Sequence, residues 1–354
     1  MIDEPVTKTP GPDATRTRVL IIGTGFAGLA MAAQLTRQGM DDFLVLERAD
    51  EVGGTWRDNT HPGCACDVPS LLFGFAVNPK ILKRAEKLAV AHLEEAVADP
   101  ELRRQMTPHY DMGCKRILLS NDYLPSLTRA DVTVETSGIA EVRTHSILAA
   151  DGTEHPVDTI IFGTGFQVTE MPAAAHIWGS GGVRLADHWA ETAAAYLGTS
   201  VAGFPNLFFI VGPNTGLGHT SMVFMIESQV AYILDALRAI DRDGASVIAV
   251  RPEVQDAYND ELQERLATTV WNTGGCSSWY LDARGRNTSL WPTFTFVFRR
   301  RTRRFDPADY VVQPPRAGRV PVPVDSSPTV SLGARRCTGR TRTRRSPRPS
   351  PETR

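Results

Sequence analysis

Residues 18–28 read RVLIIGTGFAG, a short run of β-branched and aliphatic residues that ends in three glycines. Such a run is typical of a parallel strand buried on both faces. Ala27–Gln38 is rich in Ala and Leu and is followed by Gly39, which predicts a helix with a glycine after its end. Residues 43–47, FLVLE, predict a second buried strand. The stretch therefore predicts one βαβ unit in about 30 residues.

The three glycines follow the spacing Gly23-x-Gly25-x-x-Gly28, and Glu47 ends the second strand. Gly23 permits a tight turn, Gly25 lets the backbone approach a pyrophosphate, and Gly28 lets helix and strand pack closely. The helix N-terminus then faces the phosphates, and Glu47 is placed to accept hydrogen bonds from a ribose diol. An ordinary glycine-rich turn would leave Glu47 unexplained. The pattern thus indicates a dinucleotide site, without separating NAD from FAD.

Composition is ordinary for a globular protein: 354 residues, 42% apolar and 22% charged. The net charge is −2, although residues 333–354 contain eight arginines, so the rest of the chain is mildly acidic. We expect residues 312–354 to be a disordered basic tail and the core not to bind nucleic acid. The apolar run Val19–Leu35 is too short for a membrane span. Five cysteines, an odd number, favour reduced thiols in a cytoplasmic protein, and no metal site is expected.

Apolar spacing downstream predicts helices over Lys80–Ala98 and over residues 222–240. Asp99 and Pro100 resemble the cap and first position of a short helix between them. Strands are predicted at 132–136, 146–150, 159–162 and 207–211 from short β-type runs.

Six longer stretches resemble flavin-dependent monooxygenases of the Baeyer–Villiger and related flavin-containing type. They are ERADEVGGTW from residue 47, HPGCACDVPS from 61, GCKRILLSNDYLP from 113, DTIIFGTGF from 158, GFPNLFFIVGPNTGLGH from 203 and WYLDARGRNTSLWP from 279. The resemblance extends from Arg18 to Tyr310. It implies an α/β fold with a Rossmann-like FAD-binding domain of the two-dinucleotide-binding-domain flavoprotein type.

The resemblance also implies roles for individual residues. Arg116 matches the arginine that sits over the flavin, and Asp67 matches the acid that pairs with it. In the family, reduced flavin and O2 give a C4a-peroxyflavin anion, which a guanidinium can stabilise because it does not lose its proton. Lys115 matches a position near the NADPH 2′-phosphate. The implied FAD contacts are Gly23, Gly25, Phe26, Ala27, Gly28, Glu47, Arg48, Gly53, Gly54, Thr55, Trp56, Asp67, Gly212, Pro213 and Asn214.

For some of these residues a purely structural interpretation, without a role in cofactor binding, stays open. Judged without the resemblance, Arg116 is an ordinary surface arginine and Asp67 a turn residue. Trp56 and the segment Gly212–Asn214 are also compatible with plain packing. His219, near the start of the helix at 222–240, is a helix-start residue more readily than a base.

The sequence departs from the family in one large respect. A second glycine fingerprint, in a separate NADPH-binding domain, and a motif F-x-G-x-x-x-H-x-x-x-W are both absent from it. Between Phe75 and Lys115 there is room for about one helix and a connector. We therefore predict that an internal block larger than about 100 residues, a domain's worth, has been lost.

The predicted organisation has five parts. Residues 15–75 and 117–220 form the two halves of the FAD-binding domain, joined by a helical connector at 76–116. A helical and loop region spans 221–311, and the basic tail follows. The predicted function is oxygenation of a ketone or heteroatom with O2, FAD and NADPH, although the missing fingerprint puts NADPH in question for this chain. The alternative is a catalytically impaired flavin-binding remnant, or a flavin-binding subunit reduced by a partner.

Overall fold

The computed structural model describes residues 17–62, 64, 79–164, 171–218 and 220–314. The chain divides into two compact units, and the division falls between Pro62 and Gly63.

The first unit contains the predicted βαβ arrangement. Its elements are β1 (Val19–Ile22), α1 (Phe26–Arg37), β2 (Phe43–Leu46) and the short helix α2 (Thr55–Asp58). β1 and β2 pair in parallel, in register from Val19 opposite Phe43 to Ile22 opposite Leu46. Helix α1 buries Gly28, Met31 and Leu35, which share one face at helical spacing. The chain leaves α1 through Gly39 at φ +70°, as the sequence predicts.

The second unit is largely helical. Its helices are α3 (Pro79–Ala96), α4 (Pro100–Met106), α5 (Tyr123–Leu127), α6 (Leu185–His188), α7 (Met222–Arg242), α8 (Pro252–Ala267), α9 (Val270–Thr273) and α10 (Thr295–Arg301). Short 3-10 helices lie at Pro172–His176 and Pro307–Asp309. The predicted start of α4 is confirmed, because the Asp99 side chain accepts a hydrogen bond from the Glu101 amide at 3.0 Å.

Two antiparallel sheets complete the second unit. β3 (Ile139–Val142), β4 (Ser146–Ala149) and β5 (Glu154–Pro156) form the first sheet. β6 (Val247–Val250) and β7 (Tyr310–Gln313) form the second.

Three of the predicted strands are wrong. Residues 132–136, 159–162 and 207–211 form no strand, and the strand in the first of these regions begins later, at Ile139. Ile161 and Phe162 are 90% and 82% exposed. A buried parallel strand needs hydrogen-bonding neighbours on both edges and cover on both faces, and no described residues supply these partners to 159–162. The predicted union of 15–75 with 117–220 in one domain stays a prediction.

The main core of the second unit surrounds α7. Five of its residues are at most 2% exposed and belong to one apolar cluster: Tyr232 on α7, Leu262 and Leu266 on α8, Phe298 on α10, and Trp291, which precedes α10. This core also contains Leu217, whose backbone carbonyl accepts a hydrogen bond from Arg116. In the described part of the chain, no helix combines the length and the apolar character that crossing a membrane requires.

Candidate functional site

The glycine turn of the first unit leaves space where a phosphate would lie. A Cβ built on Gly25 would meet nothing within 4 Å, whereas a Cβ on Gly28 would lie 2.0 Å from the carbonyl oxygen of Gly23. Gly28 is therefore required for packing of α1 on the turn, and Gly25 is not. Gly23 has φ +94°, which favours glycine in the turn. The amide of Gly23 donates to the Leu46 carbonyl at 2.8 Å and closes the turn onto β2.

The N-terminus of α1 has no side-chain cap. Gly25 is its N-cap residue, so no side chain caps the first turn, and the first turn holds no acidic residue. The first backbone hydrogen bond of the helix runs from Leu29 to Gly25 at 3.0 Å. The amides of Phe26, Ala27 and Gly28 therefore precede the helical bonding pattern. Uncapped amides and the positive end of the helix dipole suit a pyrophosphate.

Glu47 follows β2 and faces this turn. One of its carboxylate oxygens, Oε2, accepts from the Thr24 amide at 2.9 Å and from the Thr24 hydroxyl at 2.5 Å. The other, Oε1, accepts from the Ala49 amide at 3.0 Å and lies 3.5 Å from Nη1 of Arg57. Chiefly the Thr24 hydroxyl, with the Ala49 amide and Arg57, lowers the pKa of Glu47 to about 2. The carboxylate is thus fixed and ionised at neutral pH.

The segment Gly53–Trp56 packs against the same turn. A Cβ on Gly54 would lie 3.0 Å from Cα of Gly25, and the Gly53 amide donates to the Thr24 carbonyl at 3.1 Å. The structure therefore places this glycine pair against the backbone of the turn. The Phe26 and Trp56 rings lie 5.5 Å apart and are both more than half exposed. Thr55 begins α2.

Arg48 and Arg57 differ in their surroundings. Arg57 donates through Nε to Asp58 at 2.8 Å and also hydrogen-bonds the Glu51 carbonyl, so it joins α2 to the end of β2. The hydrogen bond from Arg57 lowers the pKa of Asp58, and Arg48 adds a smaller electrostatic contribution. The sequence reasoning named Arg48 and missed Arg57, as well as Thr24. The position of Arg57 directly after GGTW was the available signal.

These residues fit the adenosine diphosphate half of a dinucleotide. Gly25 leaves the approach open, the first turn of α1 offers uncapped amides, and Glu47 offers an oriented carboxylate. The structure brings together all the predicted site residues of this unit: Gly23, Gly25, Phe26, Ala27, Gly28, Glu47, Arg48, Gly53, Gly54, Thr55 and Trp56. Asp67 lies outside the described residues.

Arg116 lies in the second unit, on an exposed stretch that follows α4. Its Nη2 donates to the Leu217 carbonyl at 3.3 Å. Burial raises the pKa of the Tyr280 phenol, and the Arg116 guanidinium, which also hydrogen-bonds that phenol, partly opposes the rise. Neighbouring Lys115 places Nζ 5.0 Å from the centre of the Tyr110 ring. The Leu217 carbonyl and the Tyr280 phenol therefore both help to hold the Arg116 guanidinium.

A disulfide anchors the segment that carries Arg116. Cys114 is bonded to Cys276, and the Asp111 amide donates to the Gly274 carbonyl at 2.9 Å. The expectation that the thiols are reduced is therefore wrong for Cys114 and Cys276. It failed because 162 residues separate the two cysteines in sequence, and only folding brings them together. Cys64 is free and exposed.

In the second unit, Asn214 is buried, and Gly212 and Pro213 beside it are half-buried. Asn214 is 3% exposed at φ +57°, and its Nδ2 donates to the carbonyls of Asn287 at 2.6 Å and Leu290 at 3.1 Å. A Cβ on Gly212 would lie 2.4 Å from the Gly198 carbonyl oxygen. The packing interpretation left open for this segment accounts for these contacts. His219 lies outside the described residues, and α7 begins after Ser221.

Comparisons with known proteins identify the family. The profile of the NAD(P)-binding Rossmann-like domain matches residues 21–88. A Baeyer–Villiger monooxygenase of Streptomyces coelicolor is 33% identical over 487 aligned residues, which include 86% of this chain and 94% of the relative. The chain belongs to the Baeyer–Villiger monooxygenase family. This membership confirms the predicted resemblance, the two-dinucleotide-binding flavoprotein fold and, at the level of the family, a flavin-dependent oxygenating enzyme with a small-molecule substrate and O2.

Two further matches show how this Baeyer–Villiger monooxygenase homologue relates to others. A Baeyer–Villiger monooxygenase of Pseudomonas aeruginosa is 49% identical over 240 residues, 68% of this chain and 46% of the relative. The chain thus aligns with less than half of that protein. The structure of OTEMO in complex with FAD and NADP superimposes with a TM-score of 0.58 at 19% identity, over 83% of this chain and 53% of the other. This likeness supports the fold.

The Streptomyces alignment also bears on the predicted loss of an internal block. Its 487 positions exceed the roughly 300 residues that 86% of this chain represents. About 180 positions of the relative therefore have no counterpart here, which is a domain's worth.

The described residues contain no group of three or more His, Cys, Asp or Glu side chains that could hold a metal ion.

Proposed function

We propose that this chain binds FAD through residues 23–57 and oxygenates a ketone or a soft heteroatom with O2. The observation that carries the cofactor assignment is the open, uncapped N-terminus of α1 at Gly25, opposite the fixed carboxylate of Glu47. The amides of residues 26–28 would hold the pyrophosphate, and Glu47 would accept from the adenosine ribose. FAD supplies the two-electron chemistry and the oxygen activation that the protein's side chains lack.

Within this proposal Arg116 supplies a permanent positive charge for an oxygen anion. Guanidinium suits this role because it stays protonated at every working pH. Its contacts to the Leu217 carbonyl and the Tyr280 phenol hold the guanidinium in place. Asp67 would orient Arg116 by pairing with it. Lys115 would offer a point charge to the NADPH 2′-phosphate.

A second candidate function is a flavin-binding protein without its own turnover, or a subunit that a partner reduces. The roughly 180 positions of the Streptomyces relative that lack a counterpart favour it. So does the absence of a second glycine fingerprint from the sequence. Under this candidate, the flavin is bound but NADPH does not reduce it, and a reductase or second subunit supplies the electrons.

Single-turnover oxygenation distinguishes the two candidates. The FAD-loaded protein is reduced by dithionite without air, freed of reductant, and mixed with ¹⁸O2 and either a cyclic ketone or an aryl methyl sulfide. The monooxygenase proposal expects one ¹⁸O atom in a lactone or sulfoxide. Reoxidation that yields only hydrogen peroxide would contradict it and support the second candidate.

A cytoplasmic location is also part of the proposal. The Cys114–Cys276 disulfide weighs against it, because cytosolic disulfides are rare and mostly transient or redox-sensing. A thiol count on protein quenched with an alkylating agent inside intact cells tests this point.

A further inference from the structure

Thr24 lies between the first two glycines of the turn and is 4% exposed. Both of its donors reach one oxygen: the amide lies 2.9 Å and the hydroxyl 2.5 Å from Glu47 Oε2. A backbone donor and a side-chain donor from one residue therefore fix the same atom. The residue thus joins the loop after β1 to the end of β2 independently of any ligand.

This arrangement determines which acceptor positions of Glu47 are left. A carboxylate offers about four lone-pair positions, two on each oxygen. Thr24 occupies both positions of Oε2, and the Ala49 amide occupies one of Oε1. Arg57 approaches Oε1 only to 3.5 Å. The remaining capacity for a ligand hydroxyl therefore lies on Oε1.

We propose that Thr24 is a positioning residue for the cofactor: its hydroxyl holds the Glu47 carboxylate so that Oε1 is presented to a ribose hydroxyl. The inference rests on the proposed FAD site and assigns a role to a residue that does not need to touch the flavin. A preoriented carboxylate loses less side-chain freedom when the nucleotide binds, which favours affinity. Without the hydroxyl, one amide would remain on each carboxylate oxygen, that of Thr24 on Oε2 and that of Ala49 on Oε1, and the carboxylate would be held less firmly.

Because Glu47 is ionisable and lies among other charged groups, the effect of the Thr24 hydroxyl on FAD affinity depends on pH. Arg57 faces the carboxylate from α2, and Asp58 pairs with Arg57 at 2.8 Å. The positive charge of Arg48 helps to lower the pKa of Asp58. The Thr24 hydroxyl makes the largest single contribution to the low pKa of Glu47. Its removal raises that pKa towards the ordinary value, so protonation of the variant's carboxylate begins near pH 4.5, where the carboxylate of the native protein stays ionised.

The test is an FAD titration of the full-length apoprotein, followed by flavin fluorescence between pH 7.5 and 4.5. Thr24→Val removes the hydroxyl with little change of shape, Thr24→Ser restores it, and Thr36→Val removes a hydroxyl of α1 that bonds only the Ala32 carbonyl. We expect Thr24→Val to raise Kd about tenfold at pH 7.5, on the scale of a hydrogen bond to a charged group. We expect the ratio to the native Kd to stay constant down to about pH 5.5 and to grow only at the acid end of the range. Thr24→Ser and Thr36→Val should stay within about threefold of native.

A double-mutant cycle separates positioning from a merely structural role. In the Glu47→Gln background, which has no carboxylate, removing the Thr24 hydroxyl should have little further effect on Kd. Thr24→Ala replaces Thr24→Val throughout if circular dichroism shows that valine disturbs the turn. A native-like Kd and pH profile for the hydroxyl-free variant, or an undiminished effect in the Glu47→Gln background, would overturn the inference. Failure of the native protein itself to bind FAD would instead contradict the proposed function.

Discussion

Arg116 is a cation held by acceptors that carry no formal charge, the Leu217 carbonyl and the Tyr280 phenol. Replacing it by alanine removes the charge while leaving every described contact of the glycine turn in place. We therefore expect Arg116→Ala to keep FAD bound and to lose oxygenation by about a hundredfold or more, the scale of deleting a group that stabilises a reacting oxyanion. The measurement is product formed per bound flavin in the single-turnover experiment.

Arg303→Ala is the matched control for Arg116, because Arg303 is an exposed arginine of the same unit. Its product yield should equal that of the native protein. An unchanged yield in Arg116→Ala would show that the guanidinium has no part in the chemistry.

Individual residues were predictable from sequence to very different degrees. Gly28 could be assigned from spacing alone, because the packing of a helix on a preceding strand is local. Asn214 was named from the resemblance, yet its side chain is directed to the carbonyls of Asn287 and Leu290 more than 70 residues away. Thr24 and Arg57 were missed, because a hydroxyl or a guanidinium in a loop has no spacing rule that predicts its partner.

At the scale of elements, the same contrast separates local from non-local structure. The unit β1–α1–β2 follows from residues 18–47, in which the strand, turn and helix signals are adjacent in sequence. The predicted strands at 159–162 and 207–211 failed, since a strand forms only where another part of the chain provides hydrogen-bonding partners. Periodicity predicted α7 because a long amphipathic helix carries its own backbone hydrogen bonds.

The disulfide between Cys114 and Cys276 is an element-level constraint that should be measurable. Joining residues this far apart restricts the unfolded chain, and such bonds typically contribute about 2–4 kcal/mol. We expect the Cys114→Ser, Cys276→Ser double variant to lose about that free energy of unfolding in a urea titration. Cys64→Ser, at a free and exposed position, should be neutral.

A thiol count gives an independent check of this bond. The sequence has five cysteines, so the denatured, unreduced protein should show at most three thiols. Five thiols together with an unchanged urea midpoint would contradict the disulfide.

At the scale of the whole molecule, the feature that matters most is the block that this chain lacks relative to its family. Hydride transfer requires the nicotinamide to be held about 3–3.5 Å from the flavin. Lys115 offers one exposed charge, worth roughly 1 kcal/mol or less, whereas a micromolar site needs about −8 kcal/mol. We expect NADPH to bind with a high-micromolar or weaker Kd by titration calorimetry, and to reduce the flavin slowly. A low-micromolar Kd would show that this chain, or a second subunit, rebuilds the site.

One titration tests directly whether the first unit holds FAD at the open N-terminus of α1. FAD is added to the full-length apoprotein of the native sequence, of Gly25→Val and of Gly181→Val. Gly181, like Gly25, has open space around the Cβ position and no positive φ, but it lies in the second unit. We expect saturable quenching of flavin fluorescence for the native protein and Gly181→Val, and none for a folded Gly25→Val. Equal binding by all three proteins, or no binding by the native one, would contradict it.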